Sequence, residues 1–301
     1  MLGSTIKTDT SGQTGRFGFH FRVGNDASQY NQQMEITQSN SVVAVPIHDP
    51  DGIMLSRFQA ITPQMKQLFG RAYVSVTAVT HTQQPCYVEW LNQDDFFIPL
   101  YLEERMPVGV RFLTLYETAV AANPPDTLLH LCFQDRLIFA LYPPHRAAFM
   151  ADMQAITPAQ TPLTYLRSDA AWATHPDSYE ALEKMLRRTG EMIFGKVFDF
   201  AWCHMAVLAG QLQSVLPHIR HADISMLAEI TLALRRVMQN KAVDWLAWED
   251  PFILQKDAAT LKAAREKDMA DVRKRLAYVI PILTLLQNAA QNGESPFSDF
   301  G

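Results

Sequence analysis

The stretch Val42-Val43-Ala44-Val45-Pro46-Ile47 decides the fold. It is short, apolar and rich in β-branched residues, and the turn sequence His48-Asp49-Pro50-Asp51-Gly52 follows it directly. A short apolar run that ends in turn residues is typical of a strand buried on both faces, as in a parallel sheet. We therefore expect the ordered core to begin here, with a loop at the carboxyl end of the strand.

Strand and helix patterns alternate after this point. Further strands are predicted at 73–80, 96–102, 128–133 and 163–167, and helices at 54–69 and 108–122. Such alternation implies right-handed crossovers and a mostly parallel sheet. Later segments are predicted to be helical, at 177–195, 203–216, 225–238 and 258–288, the last kinked at Pro281. The predicted fold class is α/β, with a mostly parallel central sheet and a helical C-terminal section.

Composition and charge narrow the class of protein. Hydrophobic residues make up 48% of the 301 residues, which suffices for a full core, and the net charge of -5 argues against a nucleic-acid binder. No run approaches the roughly 20 apolar residues that span a bilayer. Three widely spaced cysteines, Cys86, Cys132 and Cys203, are expected to be buried thiols in a reducing compartment. We therefore expect a cytoplasmic protein.

The chain is predicted to divide into four parts. Residues 1–40 are polar and are expected to form a flexible arm, and residues 41–255 form the α/β domain. A C-terminal helical segment, 256–290, is expected to pack on this body. Residues 291–301 are expected to be a disordered tail.

Polar residues that follow the predicted strands are the first candidates for a functional site, because ligands bind beyond the carboxyl ends of strands in open α/β sheets. They are His48, Asp49, Asp51, Thr77, Thr80, Asp135, Arg136, Arg167 and Asp169. In Gln134-Asp135-Arg136 the acid is placed to face a cleft, and the arginine is placed to bind phosphate with two nitrogens. The alternative is a surface ion pair or a helix cap. Carboxylates at strand ends also suit a hard divalent cation.

The sequence Trp248-Glu249-Asp250 is the second candidate. An acid that packs against indole rings has a raised pKa and can serve as a general base, and tryptophan faces bind sugar rings. The alternative is a core loop whose acid caps a helix. His175 and His204 are both expected to be structural more often than functional.

Together these residues resemble glycosyltransferases of the GT-A type. The resemblance rests on the strand ending in Pro46, on Gln134-Asp135-Arg136, on the block from Arg167 to Pro176 and on Trp248-Glu249-Asp250. It implies a protein that binds a nucleotide-sugar donor and transfers the sugar to an acceptor that the sequence does not identify. The resemblance further implies that Asp135 binds a divalent metal, Mn²⁺ or Mg²⁺, that Glu249 or Asp250 acts as the base, and that the donor site includes Pro46, His48, Thr77, Arg136 and Arg167.

The sequence departs from the family at one position. The usual Asp-x-Asp is Phe133-Gln134-Asp135 here, so that one carboxylate is absent. An inactive member and a metal-independent member are both compatible with this change.

Two other functions are also compatible with the sequence. The sequence from Asp49 to Gly52 is similar to the Asp-x-Asp-Gly signature of haloacid-dehalogenase-type phosphatases, with Asp49 as nucleophile, Asp51 as general acid and a magnesium ion. The other candidate is a non-catalytic sugar-nucleotide-binding or scaffold protein. It would form a homo-oligomer through its C-terminal helices, because residues 276–286 are apolar nearly all round and need a buried environment.

Overall fold

Seven strands form one mixed sheet in the described part of the chain, residues 41–103 and 105–291 of a computed structural model. The strands are β1 Ser41–Ile47, β2 Arg71–Val76, β3 Phe97–Tyr101, β4 Leu128–Cys132, β5 Leu163–Arg167, β6 His204–Leu208 and β7 Gln239–Val243. Their order across the sheet is β3-β2-β1-β4-β6-β5-β7. Six strands are parallel, and β6 runs antiparallel to its neighbours β4 and β5.

Thirteen α-helices connect and cover these strands within the same described residues. They are α1 Leu55–Leu68, α2 Ala78–Gln83, α3 Pro85–Asn92, α4 Val108–Ala121, α5 Gln134–Ala140, α6 Arg146–Ala155, α7 Asp169–Thr174, α8 Asp177–Phe194, α9 Ala209–Val215, α10 Met226–Leu234, α11 Asp250–Leu254, α12 Ala258–Lys267 and α13 Met269–Gln291. Short 3₁₀ segments lie at Pro158–Gln160, Leu216–His218 and Asp244–Leu246.

Strand β1 shows why the sheet is covered on both faces. Val43 and Val45 pack into one hydrophobic core with helices α1, α3, α5 and α6, whereas Val42 and Ala44 pack into a second core with α4, α9, α10 and α13. Successive side chains of a strand point to opposite faces, so a strand between two helical layers is largely apolar on both of its faces. The helical layers cover the two faces of the sheet. The carboxyl ends of the parallel strands lie at one end of the sheet, between these layers.

The predicted α/β class with a mostly parallel sheet is confirmed. The strands predicted at 96–102, 128–133 and 163–167 correspond to β3, β4 and β5, and the strand that opens the fold corresponds to β1. Gly195 ends α8 in the left-handed conformation, with φ of 67°, as expected of a helix stop.

Several predicted boundaries were wrong. The segment 203–216 contains β6 followed by α9, and 225–238 holds only α10, after which comes β7. The strand predicted at 73–80 ends at Val76, because α2 begins at Ala78, and 258–288 is divided between α12 and α13. Cys86 is exposed rather than buried, whereas Cys132 and Cys203 are buried as predicted.

The C-terminal helix α13 packs against α8 and buries Val279, Ile282 and Leu286 in the core. Ile280 is 58% exposed, so the segment 276–286 is not buried all round. No helix in residues 41–103 or 105–291 is both long and apolar enough to span a bilayer.

The division at residues 255–256 stays a prediction. The predicted arm, 1–40, and the predicted tail after Gln291 lie outside the described residues.

Candidate functional site

Three cavities follow one another along the carboxyl edge of the sheet. The first, the large cavity, has a volume of about 1040 Å³. It lies between the end of β1, the start of α2 and the segment that leads into α4. Its lining residues are His48, Pro50, Thr77, Ala78, Val79, Thr82, Gln83, Arg105, Met106, Pro107 and Arg111.

The second, the middle cavity, has a volume of about 230 Å³ and shares His48, Thr77 and Arg111 with the large cavity. It reaches from the end of β1 to the end of β4. Its lining residues are Pro46, Ile47, His48, Met54, Ser75, Thr77, Val108, Arg111, Phe112, Phe133, Gln134 and Asp135. The predicted residues Pro46, His48, Thr77 and Asp135 therefore converge on one space.

The third, the inner cavity, has a volume of about 170 Å³ and shares Phe133 and Asp135 with the middle cavity. Its polar and charged lining residues include Asp135, Arg136, Arg167, His175, Tyr179, Glu183, Glu249, Asp250, Arg275 and Tyr278. Asp135 therefore stands between the two smaller cavities, and the Glu249-Asp250 pair lies on the far one.

A hydrogen-bond network fixes the wall between the large and middle cavities. Nδ1 of His48 lies 3.1 Å from the hydroxyl oxygen of Thr77, which lies 2.8 Å from the hydroxyl oxygen of Thr80. The backbone N–H of Asp49 donates to the Thr80 hydroxyl at 2.9 Å. Burial lowers the pKa of His48, and the positive charge of Arg111 lowers it further. The imidazole is therefore neutral near pH 7.

The carboxylate of Asp49 stabilises the loop after β1 through hydrogen bonds to both of its oxygens. Its carboxylate accepts hydrogen bonds from the backbone N–H groups of Ile53 at 2.9 Å and Met54 at 2.8 Å, and from the Tyr87 hydroxyl at 2.6 Å. Both carboxylate oxygens are engaged and the residue is buried. Asp49 thus stabilises the turn before α1, which is a structural task.

Gln134 takes part in the same network from the side of β4. Its buried amide Nε2 donates to the Tyr87 hydroxyl at 3.0 Å, and that hydroxyl donates to Asp49. An ionised aspartate at this position has no hydrogen to donate. Gln134, the middle residue of Phe133-Gln134-Asp135, therefore serves packing at this site.

Arg136 and Glu249 form a buried ion pair between the first turn of α5 and the segment before α11. Nη1 of Arg136 also donates to the carbonyl of Ala247 at 2.8 Å. Burial raises the pKa of Glu249 to about 8, and the negative charges of Asp135 and Asp250 act in the same direction against Arg136. A carboxyl with this pKa can take up and release a proton near neutral pH.

Asp250, the first residue of α11, is the more accessible member of the pair. Its side chain is 27% exposed, compared with 6% for Glu249. Its carboxylate accepts from Nη2 of Arg265 at 3.1 Å, and Nη1 of Arg265 lies 3.4 Å from Asp271 in α13. The two C-terminal helices therefore anchor one wall of the inner cavity.

Arg167 at the end of β5 is also engaged with protein acids. Its Nη1 lies 2.9 Å from Glu183 and 3.4 Å from Asp199, and its guanidinium lies over the Trp172 ring. These acids raise the pKa of Arg167 against the effect of its burial, so it stays charged. Arg136 and Arg167 are therefore both paired with carboxylates of the protein.

The two candidate histidines are buried and uncharged. Nδ1 of His175 lies 2.9 Å from the carbonyl oxygen of Ala171, and burial, with the charges of Arg167 and Arg136, lowers its pKa to about 2. His204 pairs with His130 through Nε2 and Nδ1 at 3.1 Å within the core. The predicted structural role of His204 agrees with this position.

Arg111 is a residue that our sequence reasoning missed. It lies in the first turn of α4 and lines both the large and the middle cavities. Its guanidinium has no ion pair and no side-chain hydrogen bond to any group in residues 41–103 and 105–291. A single arginine in a helix carries no local motif, and the only signal in the sequence was its place in the helix that follows β3.

The donor atoms present do not make a metal site by themselves. Within the described ranges there is no group of three or more histidine, cysteine, aspartate or glutamate side chains placed to hold a metal ion. Of the acids on the inner cavity, Glu183, Glu249 and Asp250 are paired with guanidinium groups, which leaves Asp135. A single carboxylate needs phosphate oxygens and waters to complete octahedral coordination.

Comparisons with known proteins add a distant likeness. No protein-family model matches the chain, and no curated protein matches it. Among solved structures, a mannosyltransferase from Pyrobaculum calidifontis, PcManGT in complex with GDP-Man and Mn²⁺, is similar over 85% of this chain and 84% of its own, with 15% identity and a TM-score of 0.42. This likeness does not assign the chain to a family.

Proposed function

We propose that this protein is a glycosyltransferase-like enzyme that binds a nucleotide-sugar donor and transfers the sugar to an acceptor. The observation that carries the proposal is the position of Asp135. It borders the middle cavity, which continues into the large cavity, and it also borders the inner cavity, which holds a carboxyl with a raised pKa. A transfer reaction needs such an arrangement, because two substrates must meet at one point.

The large and middle cavities are proposed to hold the donor. Together they exceed the several hundred cubic ångströms typical of cofactor sites. The nucleoside fits the large cavity, the diphosphate lies at the shared wall of His48, Thr77 and Arg111, and the sugar lies in the middle cavity. Asp135 then accepts hydrogen bonds from hydroxyl groups of the sugar.

The inner cavity is proposed to hold the acceptor hydroxyl. Glu249 is the candidate base because its pKa of about 8 lies near the working pH, where a base is most effective. Asp250 is the second candidate because it is more exposed to the cavity. Arg136 holds the Glu249 carboxylate in position and, with Arg167, forms the charged wall behind it.

Our prediction that Asp135 binds a divalent metal stays a prediction. This residue would be the protein ligand, and the donor phosphates would complete the coordination. When bound, such a metal would neutralise charge on the diphosphate.

Thermal unfolding with UDP-, GDP- and ADP-sugars, each with and without Mn²⁺, tests donor binding. A ligand at 100 times its Kd stabilises the folded protein by about 2.7 kcal/mol. Stabilisation by one class of nucleotide-sugar, lost in Asp135→Asn, supports the proposal. The absence of any shift across the panel at millimolar concentration would contradict it.

The phosphatase alternative receives no support from the geometry at Asp49. A nucleophile needs a free carboxylate oxygen, and both oxygens of Asp49 accept hydrogen bonds from the protein. Hydrolysis of a generic phosphate ester, abolished by Asp49→Asn in a folded variant, would restore this alternative.

The non-catalytic alternative is favoured by one observation. Glu249 and Asp250, the two base candidates, each have an arginine partner. Nucleotide-sugar binding without transfer or hydrolysis would identify a sugar-nucleotide-binding protein.

A further inference from the structure

The wall between the large and middle cavities carries positive charge that nothing described neutralises. Arg111 lines both cavities, and Arg105 lines the large one. Among the residues that the structure describes, no acid lines the large cavity, and Asp135 is the acid on the middle cavity. Arg105 and Arg111 form no ion pair with any acid in the described ranges.

Other arginines of this edge contrast with Arg111. Arg136, Arg167, Arg265 and Arg275 all pair with carboxylates. Burial lowers the pKa of Arg111, and no acid acts to raise it. A partly buried guanidinium with no counter-charge is costly unless an anion binds to it. Lys274 on α13 adds further positive potential, since its charge acts on His48 at the same wall.

We propose that Arg111 binds the diphosphate of the donor and supplies the counter-charge that a divalent metal would otherwise supply. This inference rests on the proposed function. It also accounts for the single carboxylate at Phe133-Gln134-Asp135. A diphosphate that is neutralised by a guanidinium does not need a metal ion, and therefore does not need a second carboxylate to hold one. A guanidinium presents several N–H donors in a planar fork and binds phosphate oxygens in pairs.

In the transfer reaction, Arg111 stabilises the leaving group. The bond between the anomeric carbon and the diphosphate oxygen breaks, and the nucleoside diphosphate leaves with the electron pair. The acceptor oxygen forms a bond to that carbon, and its proton passes to Glu249. Negative charge therefore grows on the leaving oxygen, and a fixed cation close to it stabilises this charge.

Calorimetric titration of UDP, GDP and inorganic pyrophosphate, in EDTA and in MnCl₂, tests the inference. The variants are Arg111→Gln, which removes the charge, and Arg111→Lys, which keeps the charge without the fork. Arg71→Gln is the matched control, because Arg71 is an exposed arginine at the opposite end of β2. Circular dichroism of each variant confirms that it is folded.

The expected result is binding in EDTA with a Kd within about threefold of that in MnCl₂. Arg111→Gln should weaken binding about tenfold or more, as for a lost charge-assisted hydrogen bond, Arg111→Lys should weaken it less, and Arg71→Gln should have no effect. Binding that requires Mn²⁺, or that is unchanged in folded Arg111→Gln, would overturn the inference and leave the proposed function standing.

The other outcomes separate the two proposals. Pyrophosphate binding that is sensitive to Arg111, without binding of UDP or GDP or of any nucleotide-sugar, would support the anion site and contradict the proposed function. No binding of any of these anions would overturn the inference, and the absence of nucleotide-sugar binding would then overturn the proposed function as well.

Discussion

Arg136 and Glu249 form a buried ion pair at the inner cavity. Arg136 directly follows Asp135, the residue that separates the two smaller cavities. The ion pair therefore holds Glu249, the candidate base, close to the end of β4. Its placement makes the role of Glu249 testable by substitution.

Glu249→Gln should strongly slow transfer and leave donor binding intact. The amide keeps the shape and the contact with Arg136 but cannot accept the proton of the acceptor. General base catalysis contributes about 10²–10⁴-fold, so kcat should fall by that factor while the Kd for the donor changes little. Asp250→Asn is the comparison variant. An unchanged kcat in Glu249→Gln with a loss in Asp250→Asn would move the base to Asp250.

The pH dependence of kcat/KM should report Glu249. The base is active when deprotonated, and its pKa is raised to about 8, so the rate should rise with pH and level off above about 8. Each pH unit below 8 should lower the rate about tenfold. A flat profile between pH 6 and 9 in the wild-type protein would contradict this assignment.

Asp135→Asn should reduce sugar transfer by at least tenfold and weaken the binding of nucleotide-sugars. The substitution removes a charged acceptor at the junction of the middle and inner cavities, where hydrogen bonds to a charged group contribute about 1.5–3 kcal/mol. Asp169→Asn is the matched control, since Asp169 is an exposed acid at the same sheet edge, just after β5. Equal activity of the two variants would argue against a role for Asp135.

The His130–His204 pair should make the fold sensitive to acid. Burial lowers the pKa of His130 to about 3 and that of His204 well below its ordinary value, whereas both have a pKa near 6.5 when unfolded. The unfolded state therefore binds more protons as the pH falls below 6.5, and the free energy of unfolding decreases by up to about 1.4 kcal/mol per pH unit for each histidine.

Chemical denaturation between pH 7 and pH 4 measures this effect. The double variant His130→Gln/His204→Gln should show a shallower decline than the wild type, whatever its stability at pH 7. The same decline in both proteins would show that other groups cause the acid sensitivity.

Gly109→Ala should destabilise the protein and displace Arg111. Gly109 lies in the first turn of α4, its N–H donates to Ala222 at 2.9 Å, and an added Cβ would overlap the backbone of residues 222–223. Overpacking of this kind costs about 1–3 kcal/mol. Gly210→Ala is the milder control, because the nearest contact there would be 3.1 Å, with Cβ of Pro125. Equal melting temperatures for the two variants would contradict the close approach.

The sequence predicted strands β1 to β5 because these strands are largely apolar. β1 and β4 are bounded by turn or polar residues that mark their ends. β6 was assigned to a helix because a short apolar segment looks alike in both structures, and the antiparallel pairing that decides it is a long-range contact. β7 is polar and mostly exposed at the edge, so no periodic signal marked it.

The candidate site could be predicted only in part for a similar reason. Residues that directly follow strands, such as His48 and Asp135, are marked by their position. Arg111 lies in a helix, and the cavities that it lines are closed by residues from distant parts of the chain. The hydrogen bond from Tyr87 to Asp49 could not be predicted either, since nothing near Asp49 in the sequence indicates that partner.

A structure of the protein with a nucleoside diphosphate bound would show directly where the donor lies. We expect the nucleoside to occupy the large cavity, the diphosphate to contact Arg111 and the terminal phosphate to point towards Asp135. A diphosphate bound elsewhere on the molecule, with the cavities beside Arg111 and Asp135 left empty, would contradict this expectation.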